Sequence, residues 1–407
     1  MNKNFSLFGM PEKVKFCKKC TISNQRPSSE IEFKSQNTNN KKGINFDENY
    51  ICSPCTYAVH KKKINWKERE EELLKLCDKY RKNSCYDIVV PGSGGKDSAY
   101  AAHILKYKYG MNPLTVTWAP HEFTDIGWKN FINWSKIGGF DNILFTPNGR
   151  LHRILTRLAF ENLLHPFQPF IIGQKIIGPL IASKFNIPLV FYGENPAEYG
   201  NSIKDNESPK MDLDFFSNQK YQNIYLGGKK INEIMEKFNF KLNEFQPYMA
   251  PDLSEIKKNN LEVHYLGYYL KWDQQEAFYY ASENTGFKIN PERTEGTYSK
   301  YVSLDDKVER FHFYTYFIKF GIGQATYDTA QEIRTDKITR EEGVALVKKF
   351  DGEFPEKYFI DFLEYINLSK DEFWKCIDRY RSPHLWVNTN KEGFKLRHTV
   401  SGNGEND

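Results

Sequence analysis

Residues 86–192 alternate between strand-like and helix-like spacing of apolar positions. The pattern predicts strands at 86–91, 113–118, 142–146 and 188–192, with helices at 97–109, 125–137, 150–164 and 173–185. Runs such as Ile88-Val89-Val90 and Pro188-Leu189-Val190-Phe191-Tyr192 lack strict polar alternation, which suits strands buried on both faces. Strand and helix in turn indicate an α/β protein with a doubly wound parallel sheet, whose ligands gather at the carboxyl ends of the strands.

The flanking segments follow other patterns. Asn65 opens a charged helix, Trp66–Arg81, with Glu68 at the capping-box position and Trp66, Leu73, Cys77 and Tyr80 on one face. Residues 200–260 are polar and rich in Asn, Asp, Ser and Pro, the composition of a mobile insertion or lid. A helix starts at Asp273, with Glu276 three residues on. The last third is helical, with capping boxes at Thr339/Glu342 and Ser369/Glu372. The expected organisation is therefore 1–64, 65–200, 201–260, 261–400 and a disordered tail, 401–407.

Candidate chemistry centres on Gly92-Ser93-Gly94-Gly95-Lys96-Asp97-Ser98, between the first strand and its helix. Glycines let the backbone turn tightly and bring N–H groups to a ligand, and the helix N-terminus behind them favours an anion such as phosphate. Ser93 and Ser98 can donate hydrogen bonds, Asp97 can hold magnesium, and Lys96 either adds charge or points to solvent. A Walker loop is excluded because Val90 stands where its first glycine is required and Asp97 follows the lysine. The dinucleotide fingerprint fails because Asp97 replaces its third glycine. Glu194, after the strand at 188–192, is a candidate for metal or substrate, or else a solvated turn carboxylate. The loop Asn290–Lys300 could clamp a sugar or phosphate, or be a solvated connection.

Four of the seven cysteines form Cys17-x-x-Cys20 and Cys52-x-x-Cys55. Two such knuckles supply a closed tetrahedral set, the mark of a structural zinc. The 31 residues between the pairs exceed the usual ribbon spacing, the excess lying in a polar Asn/Lys-rich stretch. Cys77, Cys85 and Cys376 are isolated and sit in no nucleophile motif. Residues 1–63 carry a surplus of +7, leaving −2 for the remainder, and a four-thiolate zinc would reduce that surplus by 2. A scattered basic surface fits this charge better than a nucleic-acid groove. No apolar run approaches the ~18 residues of a membrane span, and the start Met1-Asn2-Lys3-Asn4 lacks a signal core, so a cytoplasmic location is expected.

Ser-Gly-Gly-x-Asp-Ser after a strand resembles the pyrophosphate loop of ATP pyrophosphatases, enzymes with an adenine-nucleotide alpha-hydrolase type of sheet. Together with Cys52–Cys55, Ile64-Asn65-Trp66, Phe191–Gly200, Tyr268–Asp273, Asn290–Tyr301, Lys319–Arg334 and Arg381–Trp386, it makes the chain resemble the N-acetyl sugar amidotransferase family from about Cys17 to Trp386. That family serves bacterial O-antigen, capsule and flagellin-glycan synthesis. Gln324 departs from the arginine frequent at its position in the family.

The resemblance implies conversion of a sugar N-acetyl group to an acetamidino group at the expense of ATP, with Mg2+ and Zn2+ bound. Gly92, Ser93, Gly94, Gly95, Lys96, Asp97, Ser98 and Glu194 would hold the nucleotide and its metal, Lys96 and Asp97 serving catalysis. Arg293, Glu295, Tyr298 and Lys300 would bind the sugar. Ammonia would come from a separate glutaminase subunit, since no glutaminase nucleophile is recognisable. No nucleic-acid partner and no membrane insertion are expected. A tRNA-thiolating enzyme with the same loop is the leading competitor, and a non-catalytic zinc scaffold the next.

Overall fold

The computed structural model describes residues 5–27, 43–82, 85–194, 198, 208–211, 221–389 and 393–401. Its centre is a five-stranded parallel sheet. The first four strands are β1 (Ile88–Pro91), β2 (Pro113–Trp118), β3 (Asp141–Phe145) and β4 (Leu189–Tyr192). Two hairpin strands follow, β5 (Tyr225–Leu226) and β6 (Lys229–Lys230), and then β7 (Glu262–Tyr265), which joins the central sheet. The sheet order is β3-β2-β1-β4-β7, every pairing parallel, so the winding direction reverses between β1 and β4.

Both faces of this sheet are covered, as uninterrupted apolar strands require. Val89, Leu114, Val116, Val190 and Val263 face helices Gly149–Leu163 and Gln168–Lys184. Ile88, Val90, Leu189 and Phe191 face helices Lys96–Tyr107 and Trp66–Tyr80. Alternate residues of β1 thus enter opposite cores, the consequence of a two-residue side-chain period.

Most expected elements lie within two residues of their observed bounds. The helix expected at 173–185 begins earlier, at Gln168, because Pro169 occupies its first turn, where a missing N–H costs nothing. The sequence pattern does not predict β7. Its four residues, Glu-Val-His-Tyr, are too short to carry a period, and only the neighbouring β4 gives them a sheet to join.

The 200–260 stretch also differs from expectation. Its described residues include helices Ile231–Phe238 and Leu253–Lys258, and Ile231, Ile234, Phe240, Phe245, Tyr248 and Ile256 are buried in the main core. The apolar residues are sparse because each short element buries one narrow face. The lid expectation for 201–207 and 212–220, and residues 402–407 of the expected tail, fall outside the described residues, whereas Ser401, expected to be disordered, is buried and its carbonyl accepts from Arg340 at 2.6 Å. Among the described residues no helix is long and apolar enough to cross a membrane.

Beyond Glu309 the chain is helical as far as Arg379, then closes with the hairpin β8 (Trp386–Thr389) and β9 (Gly393–Leu396). Thr339 and Ser369 both form the expected reciprocal capping boxes. Asn65 accepts from the Glu68 N–H, and Asp273 accepts from Gln275 and Glu276.

Candidate active site and metal centre

The loop Gly92–Gly95 leaves β1 at the carboxyl edge of the sheet, beside the end of β4, where the strand order reverses. That reversal opens a crevice. Gly94 has φ of +83°, and a Cβ there would lie 2.9 Å from the Asn130 carbonyl oxygen. A Cβ on Gly92 would fall 2.1 Å from that of Ser98. The loop can therefore take this path only with glycine at both positions, and it leaves backbone N–H groups at a helix N-terminus, a cradle suited to phosphate. The Ser98 hydroxyl donates to the Gly95 carbonyl at 3.1 Å. Ser93 is hydrogen-bonded to the carboxyl of Asp305, which lies some two hundred residues further along the chain. Burial holds Asp305 above the ordinary carboxylate range, although the Ser93 bond opposes it.

Lys96 does not point to solvent. It is 6 % exposed, and its Nζ lies 2.5 Å from Asp97 Oδ2. Burial works against its charge, yet Asp97, Glu194 and Asp328 outweigh that cost and hold the ammonium above the usual lysine range. The other carboxylate oxygen of Asp97, Oδ1, is buried without a hydrogen-bond partner among the described residues. A buried orphan acceptor is costly and marks a place for a cation or donor. The glycine cradle and this oxygen fit a nucleotide polyphosphate with its magnesium.

Around the loop lies a cavity of about 760 Å³. The loop residues Gly92, Ser93 and Gly95–Ser98 form one end, with Glu194 close by. The C-terminal region contributes Glu309, Gln324, Asp328 and Gln331 to its lining. Asp328 accepts a 2.5 Å hydrogen bond from the Thr297 hydroxyl on Oδ2. Burial pushes its carboxyl up to about 7, Glu332 adding to the rise while Thr297 and Lys96 oppose it. Burial likewise raises Glu309, with Asp305 and Asp306 contributing and Ser303 opposing.

Sequence reasoning missed Asp305, Glu309 and Asp328 as site residues. A signal existed for the last: Gln324, Asp328 and Gln331 recur at i, i+4 and i+7, a polar stripe on helix Gln324–Arg334. The other side of that helix buries Ala325, Thr326, Thr329 and Ala330.

Arg293, Glu295, Tyr298 and Lys300, expected to bind the sugar, are not among the residues that line this cavity. Arg293 forms a bidentate pair with Glu353, at 2.6 and 2.5 Å. Glu295 accepts from Arg310 at 3.0 Å and from the Lys357 N–H at 3.1 Å. The Tyr298 hydroxyl donates to Glu332 at 2.8 Å, and Lys300 Nζ to the Pro291 carbonyl at 2.8 Å. Arg293, Glu295 and Tyr298 are taken up in fastening the loop to helix Gln324–Arg334 and other C-terminal segments, and Lys300 in a bond within the loop. It is the following residues, Tyr301 to Asp305, that line the cavity.

Cys17, Cys20, Cys52 and Cys55 are brought together and buried, their sulfurs all within 4.8 Å of one another. The Cys17–Cys55 and Cys20–Cys52 separations are 3.9 and 3.6 Å. A tetrahedron with Zn–S bonds of ~2.3 Å has edges of about 3.8 Å, close to these two separations, so the four thiols could bind zinc. Three backbone N–H groups, of Lys19, Cys20 and Cys52, point at the Cys17 sulfur. Arg334 lies near enough to Cys20, Cys55 and Cys52 for their charge to favour its own despite its burial. This knuckle rests on helix Gln324–Arg334. Thr21 Oγ1 donates to the Thr326 carbonyl at 3.2 Å and meets the Thr329 hydroxyl at 2.9 Å, and Ile322 and Ala330 share the cysteine core. The knuckle also sends Arg26 to the cavity wall, stacked over the Tyr327 ring at 5.4 Å. Cys77 and Cys376 belong to separate cores and Cys85 is exposed, so none of them joins a second thiol.

No curated protein matches the chain. Residues 295–400 match the family model described as LPS biosynthesis protein WbpG-like, C-terminal domain. The segment that supplies Glu309, Gln324 and Asp328 to the cavity is thus similar to the C-terminal domain of an LPS biosynthesis protein.

Proposed function

We propose that the chain is an ATP-dependent amidotransferase that converts an N-acetyl group on a surface-glycan sugar precursor to an acetamidino group. The observation that supports this most is the meeting, in one cavity, of the Ser93–Ser98 loop with the wall built by the WbpG-like segment. One feature suits a nucleotide tail, and the other carries the likeness to sugar biosynthesis.

The chemistry needs both. An amide carbon is a poor electrophile and its oxygen a poor leaving group. Attack of the amide oxygen on the α-phosphate of ATP gives an O-adenylated imidate and releases pyrophosphate. Ammonia then displaces AMP. The N–H groups of Gly94 and Gly95, the hydroxyls of Ser93 and Ser98, and Lys96 would stabilise the departing pyrophosphate. Asp97 would hold magnesium, whose role is to screen phosphate charge, and Glu194, whose charge reaches Lys96, would assist. Ammonia would be supplied by a partner glutaminase, because the chain's isolated cysteines offer no glutaminase site.

The test is AMP release with ammonium across a panel of N-acetylated nucleotide sugars and nonulosonic acids. At least one acceptor is expected to give stoichiometric AMP, pyrophosphate and amidine. ATP consumption that is independent of every acceptor, or absent throughout, would overturn the proposal.

A further inference from the structure

Ammonia adding to an imidate carbon becomes an ammonium centre, and AMP cannot leave productively until that nitrogen loses a proton. Some group at the cavity must take it. Among the aspartates of the cavity and Glu309 beside them, Asp97 is paired with Lys96, Asp305 is bonded to Ser93 and Glu309 to Ser303. Asp328 is placed differently. Its Oδ2 is fixed by the Thr297 hydroxyl at 2.5 Å, and Asp328 lines the cavity. It shares the cavity with the phosphate loop and is close enough to Lys96 for the two charges to interact.

We propose that Asp328 is the base that takes the proton from the attacking nitrogen in the second half of the reaction. The inference rests on the amidotransferase reading above. Ammonia forms a C–N bond to the adenylated carbon, giving a tetrahedral adduct with an –NH3+ group. Asp328 removes one proton from that nitrogen. The freed lone pair then expels AMP by breaking the C–O bond, and the product is the amidinium cation. The carboxylic acid returns its proton to water. A carboxyl poised near neutrality is suited to this transfer. The groups facing it are Lys96 and Thr297 from other elements, Glu332 on its own helix, and Asp351 from the segment that caps that helix.

The experiment separates the two halves of the reaction, using the panel acceptor that gives most AMP with the wild type. Asp328→Asn is expected to retain acceptor-dependent exchange of labelled pyrophosphate into ATP, while amidine formation from ammonium falls about a hundredfold or more. Hydroxylamine, which is largely unprotonated at neutral pH, should restore product formation as the amidoxime. Thr297→Val keeps the carboxyl but removes a bond that lowers its pKa. The acid limb of its amidine pH profile should therefore move to higher pH, a shift that a purely structural role would not produce. Amidine formation at the wild-type rate in Asp328→Asn would overturn the inference. So would loss of exchange together with amidination, or an unmoved limb in Thr297→Val. Absence of exchange in the wild type with every acceptor would instead overturn the amidotransferase reading, and this inference with it.

Discussion

At Lys96 the cost of burying an ammonium is offset by carboxylates from three separate segments: the helix start at Asp97, the end of β4 at Glu194, and Asp328. Removing one of the three leaves the other two in place, so Asp97→Ala is expected to abolish AMP release while circular dichroism and the melting transition stay close to wild type. Normal turnover in that variant would remove Asp97 from the mechanism. The glycines and serines of this loop were legible in the sequence because local geometry alone demands them. Arg293 was not. A guanidinium in a loop looks alike whether its partner is a ligand or a residue far along the chain, and here the partner is Glu353. Both side chains are about one-third exposed, so screening limits what the pair contributes. Arg293→Ala is expected to cost about 1 kcal/mol of stability, read from urea unfolding, while ATP affinity is unchanged. A selective loss of acceptor binding with undiminished stability would return Arg293 to the binding site.

Helix Gln324–Arg334 is the element on which the site depends, because one side lines the cavity and the other carries the cysteine knuckle. Its first turn has no capping side chain of its own: Gly323 occupies the N-cap. Asp351 supplies what is missing, accepting from the Gly323 N–H at 3.0 Å, the Thr326 N–H at 3.1 Å and the Thr326 hydroxyl at 2.5 Å. A Cβ on Gly323 would come within 2.6 Å of that carboxylate, so the glycine is what lets Asp351 approach. Asp351→Ala leaves orphan N–H groups at a buried helix start and should cost about 1–2 kcal/mol. Equilibrium unfolding checks the magnitude, and an unchanged urea midpoint would show that the helix start is satisfied in another way. The helix itself was legible only as part of a segment with small residues. Its cap lies beyond a further helix, Arg340–Phe350, where no local pattern could connect the two.

Over the whole molecule, the sequence suggested modules in series, yet the two ends of the chain are stitched together. The cysteine pairs were legible because their spacing is a property of the metal, and metal analysis is expected to find one zinc per chain, lost in Cys20→Ser. What joins the knuckle to the C-terminal region was not legible, because it runs through a small shared apolar cluster and single polar contacts between distant positions. His384 is the clearest of these, 2 % exposed between Ser382 and Gln25. Gln25 Nε2 donates to the Pro11 carbonyl at 2.8 Å, which turns Gln25 Oε1 toward His384 Nε2 as an acceptor. Nε2 therefore carries the proton, and Nδ1 is left to accept from the Ser382 hydroxyl at 2.7 Å. A second proton has no place in this arrangement. Burial, with His398 adding its charge, lowers the imidazole from 6.5 to about 4. Above pH 6.5 the folded and unfolded chains are both neutral here, and the contribution to stability is complete. Between about 6.5 and 4 the unfolded chain binds a proton that the fold excludes, so stability falls with falling pH and levels off below. The full loss is about 3 kcal/mol for this one residue. Other buried groups and thiolate protonation also act in this range, so the quantity to measure is the difference between wild type and His384→Asn, which keeps a donor and an acceptor but does not titrate. Their unfolding free energies should converge by that amount from pH 7 to 4, because only the wild type loses the His384 contribution. Parallel curves over the whole interval would mean that the imidazole accepts its second proton in place and that the junction between the two ends tolerates the charge.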